Sequence, residues 1–141
     1  MPQTANQTIR LNLPSEMWVI DVLYTTTLEV LQLIEVDEET CFEVSLAIVE
    51  AGTNAIRHGN RELANKRVCF ELILQSDQIT AIIGDEGDGF NRQDVLDPLA
   101  EENVYKDSGR GIWIMESYMD EVRYEQSGSV VRMTKRIRTA E

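Results

Sequence analysis

Residues Thr8 to Leu13 alternate, with Ile9, Leu11 and Leu13 on one face and Arg10 and Asn12 on the other. A period of two predicts a half-buried first strand, stopped by Pro14. The period then becomes helical. Ser15 occupies an N-cap position, and Met17 to Val36 carries apolar residues at helical spacing, weakened in the middle by the β-branched run Thr25–Thr27. Asp37-Glu38-Glu39 opens a second helix with acid at the positive end of its dipole. This helix runs to about Arg57 and stops near Gly59-Asn60. Val68 to Leu74 and Gln78 to Ile83 predict a strand pair with a turn at Ser76-Asp77. A Gly/Asp-rich loop follows Gly84, and a polar stretch fills 91–108. Gly111 to Met119 predicts a short helix, and Val122–Gln126 with Val130–Ile137 a closing hairpin around Ser127-Gly128. The order β-α-α-β-β-loop-α-β-β fits an α+β two-layer sandwich better than a doubly wound parallel sheet.

Within the second helix, Glu50, Asn54 and His58 are spaced four apart and form a shallow stripe along one edge. The flanks are apolar, with Val44, Ile48, Ala51 and Ala55 on one side and Phe42, Leu46, Val49 and Ile56 on the other. A helix apolar nearly all round is expected to be buried, so the carboxylate and carboxamide must find partners or line a cavity. One reading is a capped or salt-bridged helix edge, with His58 structural. The other is a general base (Glu50) beside a metal ligand (Asn54), facing a cleft.

Composition narrows the classes. The 141 residues suit one domain over 1–141. Hydrophobic residues at 43% and charged residues at 27% describe an ordinary globular chain. The formal charge of −12 argues against non-specific nucleic-acid binding and against docking on anionic lipid. Cys41 and Cys69 form no C-x-x-C and fit small buried apolar residues in a reducing compartment. The polar start of the chain has no signal-peptide core, and no apolar run is long enough to span a bilayer, so a cytoplasmic location is expected.

Two further segments carry candidate chemistry. In Ile82-Ile83-Gly84-Asp85-Glu86-Gly87-Asp88-Gly89-Phe90 a carboxylate follows a buried strand, with glycines at alternate positions. An EF-hand fails because the twelfth loop position is Leu96, and a Rossmann fingerprint fails for want of a third glycine. A plain turn remains one reading. The other is a strand-end carboxylate that accepts from an exocyclic amine, with glycines admitting something flat. In Ser108-Gly109-Arg110-Gly111-Ile112, glycines precede a helix N-terminus whose free N–H groups could cradle phosphate. The absence of Gly-Lys-Ser/Thr excludes a P-loop.

Taken together, E-A-x-x-N-A-x-x-H-G at Glu50–Gly59, D-x-G-x-G-F at Asp85–Phe90 and G-x-G-I at Gly109–Ile112 resemble the N, G1 and G2 boxes of the GHKL ATPases. The stretches NAIRHGN and SGRGIWIMESYMDEVRY resemble the anti-sigma-factor serine/threonine kinases of the RsbW type within that superfamily. The resemblance implies a Bergerat-type ATP-binding sandwich, with helices on one face of a mixed sheet. It implies ATP and Mg2+ as cofactors, Glu50 as catalytic base and Asn54 as magnesium ligand. His58, Asp85 (for adenine), Gly87, Gly89, Phe90, Gly109, Arg110, Gly111 and Ile112 complete the nucleotide site. The segment 91–108 would be a lid, and Ser129 and Val130 are both candidates for an adenine-side contact. The implied partners are a STAS-type anti-sigma-factor antagonist, a sigma factor, or both, with a homodimer built on the first strand and helix. A non-catalytic module that binds ATP to grip a partner is the alternative.

Overall fold

A computed structural model describes residues 6–87 and 107–137, the side chains of 107–109 and 127 excepted. Gly89, Phe90 and most of the expected lid lie outside the described residues.

Strand β1 (Gln7–Pro14) leads to helices α1 (Val19–Leu33) and α2 (Glu38–Asn54), and a π-helical turn (Ala55–Gly59) extends α2. Strands β2 (Arg67–Leu74) and β3 (Gln78–Gly84), helix α3 (Asp107–Tyr118), and strands β4 (Glu121–Glu125) and β5 (Val130–Arg136) follow. The five strands form one sheet in the order β1-β2-β3-β5-β4. Every pairing among the described residues is antiparallel, so the sheet is antiparallel and not mixed as expected. The cause is the pair of helices between β1 and β2. One crossover helix would return the chain parallel, whereas a helical hairpin returns it reversed. Strand β4 does run parallel to β3, but β5 lies between them.

Alternation decides which face of the sheet is covered. Val68, Phe70, Leu72 and Leu74 of β2 point into the core, joined by Ile79, Ala81 and Ile83 of β3. Leu23 and Leu31 from α1, Val44 and Ile48 from α2, and Met115 from α3 meet them from the helical layer, all buried. Arg10 pairs with Glu71, and Arg132 with Glu125, among exposed or half-exposed side chains.

Helix α2 starts as its sequence dictates. Asp37 is extended, and its carboxylate accepts from the Thr40 N–H at 3.1 Å. The hydrogen bond holds the Asp37 carboxyl below its ordinary range. Helix α1 starts later than expected. Ser15 is buried and donates its N–H to the Lys66 carbonyl at 3.1 Å, and Trp18 occupies the cap with no side-chain bond to the helix end, its indole N–H donating instead to the Glu16 carboxylate. Residues 16–18 first form a tight turn, with Val19 N–H donating to the Glu16 carbonyl, which carries Ser15 away from the helix end.

Helix α3 begins at Asp107, so Gly109, Arg110 and Gly111 lie inside its first turns and not in a loop ahead of it. Two helical glycines cost about 2 kcal/mol against alanine. Burial of Ile112 and Met115 along the same helix, and of Met119 just past its end, outweighs that loss. Cys41 is buried, its thiol pushed up by burial, but Cys69 is exposed because it points to the open face of β2. Phe42, expected in a buried flank, is also exposed and stacks edge-on against Tyr118 with centroids 6.4 Å apart.

Candidate functional site

The last turns of α2 carry the site. Glu50 and Asn54 are half-buried on successive turns of one edge. Helix α3 crosses them at Gly111. A Cβ there would lie 2.8 Å from a Glu50 carboxylate oxygen and 3.4–3.5 Å from the Asn54 carboxamide. A bare backbone at position 111 therefore lets the start of α3 come down on both polar groups. The first N–H groups of any α-helix lack intrahelical partners and carry the positive end of its dipole. Gly111, in the second turn of α3, stands beside the carboxylate and carboxamide, with exposed Arg110 preceding it.

The stripe does not continue evenly to His58. From Ala55 the helix winds with π geometry, which changes the angular step per residue, and His58 is exposed on that turn. Such single π turns are frequent at functional sites. The Asn60 N–H closes this one on the Ala55 carbonyl at 2.8 Å. Arg61 and Glu62 then both take left-handed backbone, with φ of 54° and 57°, to turn the chain toward β2.

The π turn delivers Gly59 to Asp85. A Cβ at Gly59 would collide with the Asp85 carboxylate, and one at Gly87 would collide with the Gly59 carbonyl. The carboxylate thus rests directly on bare backbone. Asp85 Oδ1 accepts from the Gly87 N–H at 2.7 Å, and the Asp85 N–H donates to the Ser129 carbonyl at 2.9 Å. Burial pushes the Asp85 carboxyl up, against the opposing pull of the Gly87 N–H and the Lys66 cation. Ser129 reaches Asp85 through its main chain only, because its hydroxyl donates to the Gln126 carbonyl at 3.0 Å. Val130 stands across the ladder from Gly84.

Glu50, Asn54 and Gly111 therefore form one cluster, and Gly59, Asp85 and Gly87 a second. Along the helix, at about 1.5 Å per residue, Gly59 lies about 7 Å beyond Asn54 and about 13 Å beyond Glu50. Ile112 belongs to the core, 5% exposed, and does not join either cluster. Asn60 was legible only as a helix stop. Its side chain is fully buried, donating to the Arg67 carbonyl at 2.9 Å and accepting from the Glu86 N–H at 2.8 Å. Both partners are remote in sequence, so no spacing announces them.

No group of three or more His, Cys, Asp or Glu side chains able to hold a metal occurs among the described residues. The half-buried Asn54 carboxamide beside Glu50 suits Mg2+, which keeps waters and takes few protein ligands alongside substrate phosphates. No helix among the described residues is long and apolar enough to cross a membrane.

Residues 20–135 match the family model described as the histidine kinase-like ATPase domain. Serine-protein kinase RsbW of Bacillus subtilis (strain 168) is 29% identical over 134 residues, covering 90% of this chain and 84% of that one. The same-named protein of Staphylococcus epidermidis is 28% identical over 146 residues, covering 96% and 91%. The crystal structure of the RsbU and RsbW domains of Rv1364c from Mycobacterium tuberculosis superposes with a TM-score of 0.63. Its sequence identity is 16%, and the match covers 96% of this chain and 34% of that one. The match across 20–135 takes in both clusters, α2, α3 and all but the first residue of α1, and the chain belongs to the histidine kinase-like ATPase domain family.

Proposed function

We propose that this chain is a Mg-ATP-dependent serine/threonine protein kinase and regulatory factor. Its phosphate acceptor is a small STAS-type antagonist of an anti-sigma factor, and a sigma factor is its second partner. The observation that carries this reading is the pair of clusters at the two ends of one helical stretch. Asp85 resting on Gly59 suits the amine edge of adenine, and Asn54 and Glu50 under the start of α3 suit the phosphate end. The names of the Bacillus and Staphylococcus relatives support the kinase assignment.

Phosphoryl transfer asks a protein mainly for positioning and charge neutralisation. A serine or threonine hydroxyl oxygen bonds to the γ-phosphorus while the bridging bond to the β-phosphate breaks, and ADP leaves. Glu50 orients that hydroxyl and takes its proton. Asn54 holds Mg2+, which when bound neutralises phosphate charge. The free N–H groups of the first turn of α3, with Arg110, bind the phosphate oxygens. The chain acts as a homodimer through β1 and α1. In support, β1 pairs with β2 on one side and ends the sheet, and α1 leaves Tyr24 and Leu33 exposed.

The test is incubation of the purified chain with γ-labelled Mg-ATP and a candidate STAS protein. Label on a serine or threonine of that protein is the expected result. Tight ATP binding with no transfer to any STAS protein would make the chain a binding module that uses ATP to grip its partner.

A further inference from the structure

If Asp85 reads the base, the position of residues 85–87 decides specificity, and the following inference rests on that reading. Two of the bonds that hold this loop are made by main chain alone on the partner side or lie within the loop. The Asp85 N–H donates to the Ser129 carbonyl, and the Gly87 N–H to Asp85 itself. A third uses the exposed Glu86 side chain, which accepts from the Arg67 N–H at 2.6 Å. A fourth is made by the Lys66 ammonium, which donates to the Glu86 carbonyl at 3.5 Å. The fifth comes from another element through a buried side chain, Asn60, whose Oδ1 takes the Glu86 N–H at 2.8 Å.

Asn60 is 0% exposed, and each of its polar groups named here has a partner. Its N–H closes the π turn on Ala55, its Nδ2 donates to the Arg67 carbonyl, and its Oδ1 accepts from Glu86. The partners fix the orientation of the carboxamide, since an N–H requires oxygen and a carbonyl requires the amide nitrogen. Asn60 also follows Gly59 directly, and Gly59 is the backbone on which the Asp85 carboxylate rests. One side chain thus joins the wall behind Asp85, the first residue of β2 and the loop bearing Asp85.

We infer that Asn60 is a positioning residue for base selection. It holds the Asp85 carboxylate against Gly59, and so sets the preference for a purine bearing an amine over one bearing a carbonyl. Discrimination of that kind depends on a fixed polar group that is left unpaired by the wrong ligand. Without Asn60, Glu86 N–H and Arg67 C=O lose buried partners, the loop is free to tilt, and water reaches the carboxylate.

The experiment is calorimetric titration of the full chain with Mg-ATP and with Mg-GTP. The variants are Asn60→Ala, Asn60→Asp, Asp85→Asn and the double variant Asn60→Ala/Asp85→Asn, each checked for a cooperative thermal transition. Asn60→Ala should lower the ATP-to-GTP affinity ratio by about tenfold, the worth of one buried hydrogen bond. Asn60→Asp keeps the shape and the acceptor for Glu86, and its buried carboxyl, held protonated, also donates to Arg67; it should restore most of the ratio. In the Asp85→Asn background, Asn60→Ala should change ATP affinity no further. An unchanged ratio in Asn60→Ala, or additive losses in the double variant, would overturn the role of Asn60 and leave the nucleotide site standing. If Asn60→Ala fails to fold, a collapsed ratio in Asn60→Asp overturns it equally. An unmutated chain that binds ATP and GTP alike would overturn the reading of Asp85, and this inference with it.

Discussion

Asp85 is held in conflict with its own stability. Its carboxylate is desolvated against Gly59, and one N–H and a nearby Lys66 only partly offset that cost. Burial raises its folded value above the ordinary carboxylate value of about 3.9, so the folded chain holds a proton that the unfolded chain has already lost. The contribution of Asp85 to stability therefore falls as pH rises from about 4 through the raised value, and stays unfavourable above it. Asp85→Asn removes that penalty and still accepts from Gly87. We expect its urea midpoint at neutral pH to equal or exceed that of the unmutated chain, with the difference vanishing below about pH 4. Its Mg-ATP affinity should fall sharply. A lower urea midpoint at neutral pH would show that the carboxylate is stabilising and not held for binding.

At the scale of the element, α1 and α2 meet at Gly52. A Cβ there would lie 2.7 Å from Leu23 Cδ1 and 3.1 Å from Ile20 Cδ1. Leu23 is fully buried and cannot swing away freely. Gly52→Ala gains helix propensity yet should lose about 1–2 kcal/mol net through overpacking, measured by chemical denaturation. The end of α1 gives the opposite case. Glu35 is exposed and takes φ 65° where the chain leaves the helix, with Val36 N–H returning to the Leu31 carbonyl at 3.0 Å. A left-handed residue at this position favours glycine. Glu35→Gly should raise stability by about 0.5–1 kcal/mol in the same assay, and a loss would contradict the strain argument. These two positions also show what the sequence could announce. The start of α2 was legible because the Asp37 cap is a local signal, and the strands were legible because alternation is local. Gly52 and Glu35 depend on partners or turns that no period encodes. The glycines of 109–111 are expected at or ahead of a helix start at Gly111, whereas α3 begins at Asp107, because its packing on α2 outweighs their low helix propensity. Glu50, Asn54 and Asp85 were legible as candidates by residue type and spacing, whereas Asn60 was not, because its two partners come from β2 and the loop after β3.

At the scale of the whole molecule, an antiparallel sheet and the helical layer place one end of a helical stretch against the first turns of α3 and the other against the loop after β3. The ion pairs on the open face of the sheet, such as Arg10–Glu71 and Arg132–Glu125, are solvent-screened and contribute little to this arrangement. Lys135 does more. It is 15% exposed, donates to the Tyr118 carbonyl at the end of α3 at 2.7 Å, and pairs with Glu43 of α2 at 3.6 Å. On the proposed function, α2 divides nucleotide binding and phosphate transfer between adjacent turns. The direct measurement pairs Mg-ATP affinity with the rate of phosphate incorporation into a STAS protein, for Glu50→Ala and Asn54→Ala. A base acts in the transition state and contributes about 10²–10⁴-fold to rate with little effect on ground-state binding. Glu50→Ala should therefore keep its affinity within a few fold and lose most of the transfer, while Asn54→Ala loses magnesium-dependent affinity as well. Transfer by Glu50→Ala at the unmutated rate would contradict the claim and leave Glu50 a structural residue beneath α3.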